Sequence, residues 1–242
     1  VFDVLAASAA PFLELLGIAN QTAFGALGMP GWVQLDCATL PSFFCGFAVP
    51  RTSLPEEVGA ALLATAPERT AAALDASAWV PVSGFCAARS ADPTRIVAFS
   101  LFAVLARRSL GLRSKALGLL LHGAPHQIGV TQYDNSAVRI HSTFGPLRIL
   151  SATAPGHTHP RASFVYEVEV PAAETLLRWA LGGRPPRPSG SLPKESVPLD
   201  GDVSARVAAL LTENGGAWIL PPGHARRGAD RYLALSRVAS PA

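Results

Sequence analysis

Residues 95–122 read RIVAFSLFAVLA, then RRSLGLRS, then KALGLLLH, and the change of pattern inside this stretch decides the architecture. Arg95 to Ala106 is an almost unbroken run of aliphatic and aromatic residues, which predicts a strand. Beyond it, Leu112, Ala116, Leu119 and Leu120 recur at helical spacing, which predicts a helix over 114–122. Between them lies a basic turn, Arg107-Arg108-Ser109-Leu110-Gly111-Leu112-Arg113-Ser114. A strand running through a glycine-containing basic loop into a helix start is a way to hold a diphosphate. The first-turn amides lack intrahelical acceptors, the helix dipole favours anions, and glycine lets the backbone approach closely. Arginines add charge-assisted bonds. Neither the P-loop pattern GxxxxGK[ST] nor the dinucleotide fingerprint GxGxxG is present.

Working outward toward the N-terminus, Ser90-Ala91-Asp92-Pro93 supplies turn chemistry joining a strand at Val80–Ala88 to the one at Arg95. Residues 3–27 predict helix, with Phe12, Leu15, Leu16 and Ile18 at helical spacing and Pro11 at a helix start. Gly28-Met29-Pro30-Gly31 breaks that pattern, and Trp32 to Val49 reads as extended chain. Ser53-Leu54-Pro55-Glu56-Glu57 predicts a helix through Ala64, with Ser53 as its cap, and a further helix spans 68–76. Toward the C-terminus the pattern predicts a strand at His126–Tyr133 and a helix at Ser136–Phe144 closed by a left-handed Gly145. Strands at Leu147–Ala154 and Ser163–Val170 and a helix at 172–181 follow. Gly182 to Pro198 is rich in proline and glycine and reads as a linker or a long meandering loop. The tail predicts a helix at 202–213 and strands at 217–220 and 231–236. No internal repeat is present. Strands alternating with helices around a hairpin give a mixed α/β sheet with helices on its faces. We expect one domain over 1–183, a linker over 184–200, and a helix-strand extension over 201–242 that packs on the domain or on a partner subunit.

The chain has 242 residues, 49% hydrophobic and 15% charged, enough to bury a sizeable core and against intrinsic disorder. Mean hydropathy is +0.29, yet the longest nearly apolar stretch, Ile96–Ala106, is about half of the ~20 residues a spanning helix needs. Net charge is +3, carried by eighteen arginines and two lysines that are scattered and not interleaved with aromatics, which argues against a nucleic-acid partner. Cys37, Cys45 and Cys86 are odd in number and set among apolar residues, the pattern of buried reduced thiols in a cytoplasmic protein. The chain opens at Val1 with neither an initiator Met nor a signal peptide, which predicts that it starts inside a longer product.

Two stretches, in order and spacing, resemble the GNAT superfamily of acyl-CoA N-acyltransferases. Arg108-Ser109-Leu110-Gly111-Leu112-Arg113 matches the first two fixed positions of that family's loop, Arg/Gln-x-x-Gly-x-Gly/Ala, and departs at Arg113. After a helix and a strand comes Asp134-Asn135-Ser136-Ala137-Val138-Arg139-Ile140-His141-Ser142-Thr143-Phe144-Gly145-Pro146. It resembles the family's Asn-x-x-Ala-x-x-x-Tyr-x-x-x-Gly-Phe. Ala137 and His141 fall at the Ala and Tyr positions, Asn135 is one residue out of register, and Pro146 replaces the aromatic. The likeness is clearest over 79–170 and does not reach 184–242.

The resemblance implies a GNAT-like twisted, mostly antiparallel sheet in which strands 95–106 and 126–133 splay and admit pantetheine. The backbone of Phe102, Ala103 and Val104 would pair with the pantetheine amides. Arg108, Ser109, Leu110, Gly111, Leu112, Arg113 and Ser114 would hold the diphosphate, and Asn135 would join the cofactor site. The reaction would pass an acyl group from acetyl-CoA or another acyl-CoA to a small-molecule or protein amine, with no metal, nucleic acid or membrane involved. Positioning the amine against the thioester supplies much of such a rate, and an acid protonates the departing thiolate. At the family's acid position stands His141. For the base, Asp134 at a strand end, Glu167 (sharing a strand face with Glu169, while Tyr166 points the other way) and Asp36 are the carboxylates at hand. Bulk water serves when none of them does.

Two other classes remain open at this point. His157-Thr158-His159, with Glu167 and His224 downstream, resembles the metal-binding motifs of cupins, since imidazoles two apart on a strand share a face. The third class is a GNAT-like fold that binds acyl-CoA or a partner without catalysis, its proline content and tail serving oligomer contacts, as in a homodimer. Trp218 and Tyr232 in that tail complete the fold, cover a sheet edge or dock on a second subunit, the first being the expectation.

Overall fold

The computed structural model describes residues 9–25, 42–104, 109–155, 161–186, 195–213, 216–222 and 232–239. The chain divides into two compact units, each assembled from separate segments. The first comprises Val1–Arg89, Ala98–Gly123 and Ala173–Gly183; the second comprises Ser90–Val97, Ala124–Ala172 and Arg184–Ala242. Helices and antiparallel strand pairs alternate as expected, in a mixed α/β, mostly antiparallel architecture.

In the first unit, helix α1 (Ala10–Phe24) opens with Pro11 in its first turn and buries Leu15, Leu16, Ile18 and Ala19. Helices α2 (Glu56–Thr65) and α3 (Pro67–Ala76) turn Val58, Leu62 and Ala73 inward. These side chains meet Val80 and Val82 of β2 (Trp79–Arg89) and Phe102 of β3 (Arg95–Ala103) in one apolar cluster. Strand β2 pairs antiparallel with β1 (Ser42–Pro50) and stands next to β3. It is buried from Val80 to Ala87, because helix α4 (Leu110–His122) also packs against it. Helix α6 (Ala173–Ala180) lies against α4.

Gly118 sets how closely α4 seats on β2. A Cβ at that position would lie 2.3 Å from Cδ1 of Phe85, which is fully buried. In an open helix Gly→Ala gains up to about 1 kcal/mol. Here Gly118→Ala is expected to destabilise by about 1–2 kcal/mol through overpacking, read as a lower urea midpoint at unchanged slope.

In the second unit the order is β4 (His126–Gln132), β6 (Ser163–Glu169), β5 (Leu147–Thr153), β8 (Gly216–Leu220), β9 (Tyr232–Ala239) and β7 (Glu195–Pro198). Helices α5 (Ala137–Thr143) and α7 (Val203–Thr212) complete it. The tail therefore extends the sheet of its own unit. β8 pairs with β5 at Leu147↔Leu220, and Trp218 is buried with its indole N–H donating to the Leu210 carbonyl at 2.6 Å.

Several boundaries differ from the sequence reading. Helix α2 starts after Pro55, whose extended backbone serves as the N-cap; Ser53 closes a short 3-10 turn instead of capping. Gly145 does not adopt a left-handed conformation, because α5 closes on Phe144 in right-handed geometry with its N–H on the His141 carbonyl at 3.2 Å. The left-handed cap is Gly123, which ends α4 with φ 67° and an N–H bond to Leu119. Residues 195–198, inside the stretch read as linker, form β7 through pairing with β9. The strand expected over 95–106 runs to Ala103, and residues 105–108 lie outside the described residues. So do most of the extended chain read over 32–49 and the first turns of the N-terminal helix.

Candidate functional site

The β3–α4 junction belongs wholly to the first unit. Val104, just past β3, donates its N–H to the Val82 carbonyl at 2.9 Å. Val104 thus spends its N–H on β2. Phe102 sends its side chain into the apolar cluster and is 3% exposed.

Ser109 enters α4 in the left-handed conformation, with φ 53° and ψ 32°, the one non-glycine residue with positive φ among the described residues. Such a conformation costs about 1–2 kcal/mol outside glycine. Ser109 is the N-cap, its side chain makes no capping bond, and no acid stands in the first turn. The amides of Leu110, Gly111 and Leu112 have no acceptor within the helix and carry its positive end. Leu110 packs on the apolar cluster, and Gly111 and Leu112 are buried.

The flanking residues are more committed to structure than their spacing suggests. Ser114 is fully buried, its hydroxyl 2.8 Å from that of Ser83 on β2. Arg113 donates Nε–H to the Ala180 carbonyl at 3.0 Å and lies over the Phe47 ring at 4.6 Å. It thus ties α4 to the last turn of α6 and favours that helix's negative end. Arg108 lies outside the described residues.

Lys115 and His122, both on α4, were not singled out by sequence. Lys115 is fully buried, and burial drives its ammonium well below the ordinary lysine pKa. Burial, with Arg89 adding repulsion, also lowers His122, against a backbone bond at Ala87 that raises it.

In the second unit, α5 carries His141, 6% exposed, with its ring centroid 5.2 Å from that of Tyr166 and a 37° angle between the planes. Asn135 sets the start of that helix. Its side-chain oxygen accepts from Ala137 N–H at 2.9 Å and its own N–H reaches the Gln132 carbonyl at 3.1 Å. Asp134 is exposed and faces Arg161 at 3.6 Å. Glu167 is held on both oxygens: Arg95 Nε–H donates to one at 3.0 Å and Arg148 to the other at 3.4 Å. Arg95 also reaches Asp92 at 3.3 Å. An amine proton would compete with two guanidinium groups for the Glu167 lone pairs, so this carboxylate serves the sheet first. The structure brings Glu167 to its two arginines and does not bring it to His141, since its neighbour Tyr166 takes the face that meets α5.

Tyr133 stacks on Phe164 with centroids 4.9 Å apart, and burial pushes its phenol up to about 12. It is a core residue that stays protonated. His157, His159, His224 and Asp36 lie outside the described residues, and among the described residues no helix is long and apolar enough to cross a membrane.

No family model and no curated protein matches the chain. Solved structures similar to it include nourseothricin acetyltransferase, at 12% identity over 38% of this chain and 59% of that one, TM-score 0.33. Aminoglycoside 6'-acetyltransferase type Ii is 13% identical over 53% of this chain and 98% of that one, TM-score 0.32. A CoA-dependent acyl-homoserine lactone synthase is 16% identical over 54% and 69%, TM-score 0.33. This chain thus spans about three fifths of the first of these structures.

Proposed function

We propose that the chain is a GNAT-type acyltransferase that moves an acyl group from CoA to an amine. The β3–α4 junction carries this reading: a left-handed Ser109 introduces a helix whose first-turn amides are unopposed by any acid and include Gly111. Those amides suit a diphosphate. His141, at the family's acid position, is assigned protonation of the departing thiolate. Asp134, Asp36 and bulk water are the bases left for the incoming ammonium once Glu167 is occupied by Arg95 and Arg148.

Thermal unfolding with CoA, followed by thiol release in the presence of an amine panel, tests the proposal. CoA at about 100 times its dissociation constant is expected to stabilise the fold by about 2.7 kcal/mol. Thiol release is expected only with amine present, and His141→Ala is expected to lower kcat by about 100-fold with CoA affinity within about twofold. Absence of stabilisation by CoA overturns the reading. Stabilisation without thiol release for any amine makes the chain an acyl-CoA binder.

A further inference from the structure

Strands β4 and β6 pair antiparallel with Gly129 opposite Tyr166, Gln127 opposite Val168 and Thr131 opposite Phe164. Gln127, Gly129 and Thr131 therefore share the face that holds Phe164, Tyr166 and Val168. On it Tyr166 does not stand upright. A Cβ at Gly129 would lie 2.6 Å from the Tyr166 hydroxyl and 2.7 Å from Cζ, so the phenol lies flat across β4 where glycine leaves room. Its hydroxyl then reaches Gln127, whose Nε2–H donates to it at 3.1 Å. The ring is fixed at both ends, by its own Cβ on β6 and by Gln127 on β4. It is 1% exposed, and its face meets the His141 imidazole.

The polar content of this face asks for a reason. Gln127 Oε1 and Thr131 Oγ1 are buried with no hydrogen-bond partner among the described residues. Leucine and valine would fill the same space without stranding two oxygens. What leucine at 127 cannot do is hold the phenol oxygen. Burial keeps that phenol protonated far above the ordinary tyrosine range, so it acts here as a fixed neutral ring.

We infer that Tyr166, anchored by Gln127 across Gly129, is a positioning residue that sets the plane of the His141 imidazole. This rests on the acid role proposed for His141. An acid must present its proton along one line, and an imidazole on a short helix has rotamer freedom that a pinned neighbouring ring removes.

Steady-state kinetics on Tyr166→Phe, Gln127→Leu and the double variant test the inference. Each single change is expected to lower kcat about tenfold with KM for acyl-CoA within about twofold. The double variant is expected to be no slower than either single one, because both changes release the same anchor. Independently of turnover, the His141 Cε1–H resonance, assigned with His141→Ala, is expected to lose its ring-current displacement in Tyr166→Leu. An unchanged kcat in folded Tyr166→Phe and Gln127→Leu, losses that multiply in the double variant, or an unmoved resonance each overturns it. If His141→Ala itself turns over normally, the acid role falls and the inference with it. If His141→Ala is slow while Tyr166→Phe and Gln127→Leu are not, only the inference falls.

Discussion

Gly111→Glu is expected to abolish measurable CoA binding, with a loss on the order of 100-fold or more. Gly111 lies in the first turn of α4, where the amides have no internal acceptor and no acid is present. A carboxylate there reverses the local sign, and a like charge about 5 Å from a phosphate costs roughly 3 kcal/mol at an effective dielectric of 20. That is about two decades in affinity per phosphate charge. Isothermal titration with CoA, beside a melting curve proving that the variant folds, reads the effect. Wild-type affinity in a folded Gly111→Glu would remove the junction from the binding site.

Raising the pH from 7.5 to 9 is expected to stabilise the fold, because of Lys115. Its folded-state pKa is depressed by complete burial. Between that depressed value and the unfolded value near 10.4, the unfolded chain binds one more proton than the folded one. Stability therefore rises with pH by about 1.4 kcal/mol per unit across this interval and falls as pH drops through it. Of the other shifted groups, His122 acts below this window and Cys45 opposes Lys115 at its upper end. His122, also depressed, costs stability as pH falls below about 6.5. Cys45, pushed up to about 12 by burial, costs stability as pH rises through about 8.5, where the unfolded thiol ionises first, and so offsets part of the Lys115 gain near pH 9. Urea unfolding at pH 7.5, 8.25 and 9 checks the slope. In Lys115→Met the rise is expected to vanish, and its persistence would assign it elsewhere.

What was legible in the sequence follows from the range of the forces involved. The passage from strand to helix over 95–122 showed because period and residue type both change within a few residues. Lys115 was legible in principle, since Leu112, Lys115 and Leu119 stand three and four apart and so share a helix face. β7 escaped because four residues ending in a proline carry no periodicity, and its pairing with β9 is made by residues distant in sequence. Gly111 and His141 could be singled out from spacing. The fate of Glu167 could not, because Arg95 and Arg148 reach it from 72 and 19 residues away through strand register. The same holds for Ser114, claimed by Ser83 on β2. Tyr166 did leave a trace. Gln127, Gly129 and Thr131 alternate along one strand with the smallest residue in the middle, opposite a strand alternating Phe164, Tyr166 and Val168.

The flat-lying phenol over Gly129 has a consequence for anyone diversifying this protein. A library that varies 129 alone will return glycine, and one that varies 166 alone will return rings thin enough to lie against bare backbone. Only paired randomisation gives access to other solutions, such as alanine or serine at 129 with a shorter aliphatic at 166. Recovery of such pairs, and not of the single changes, would mark the two sites as one evolutionary unit.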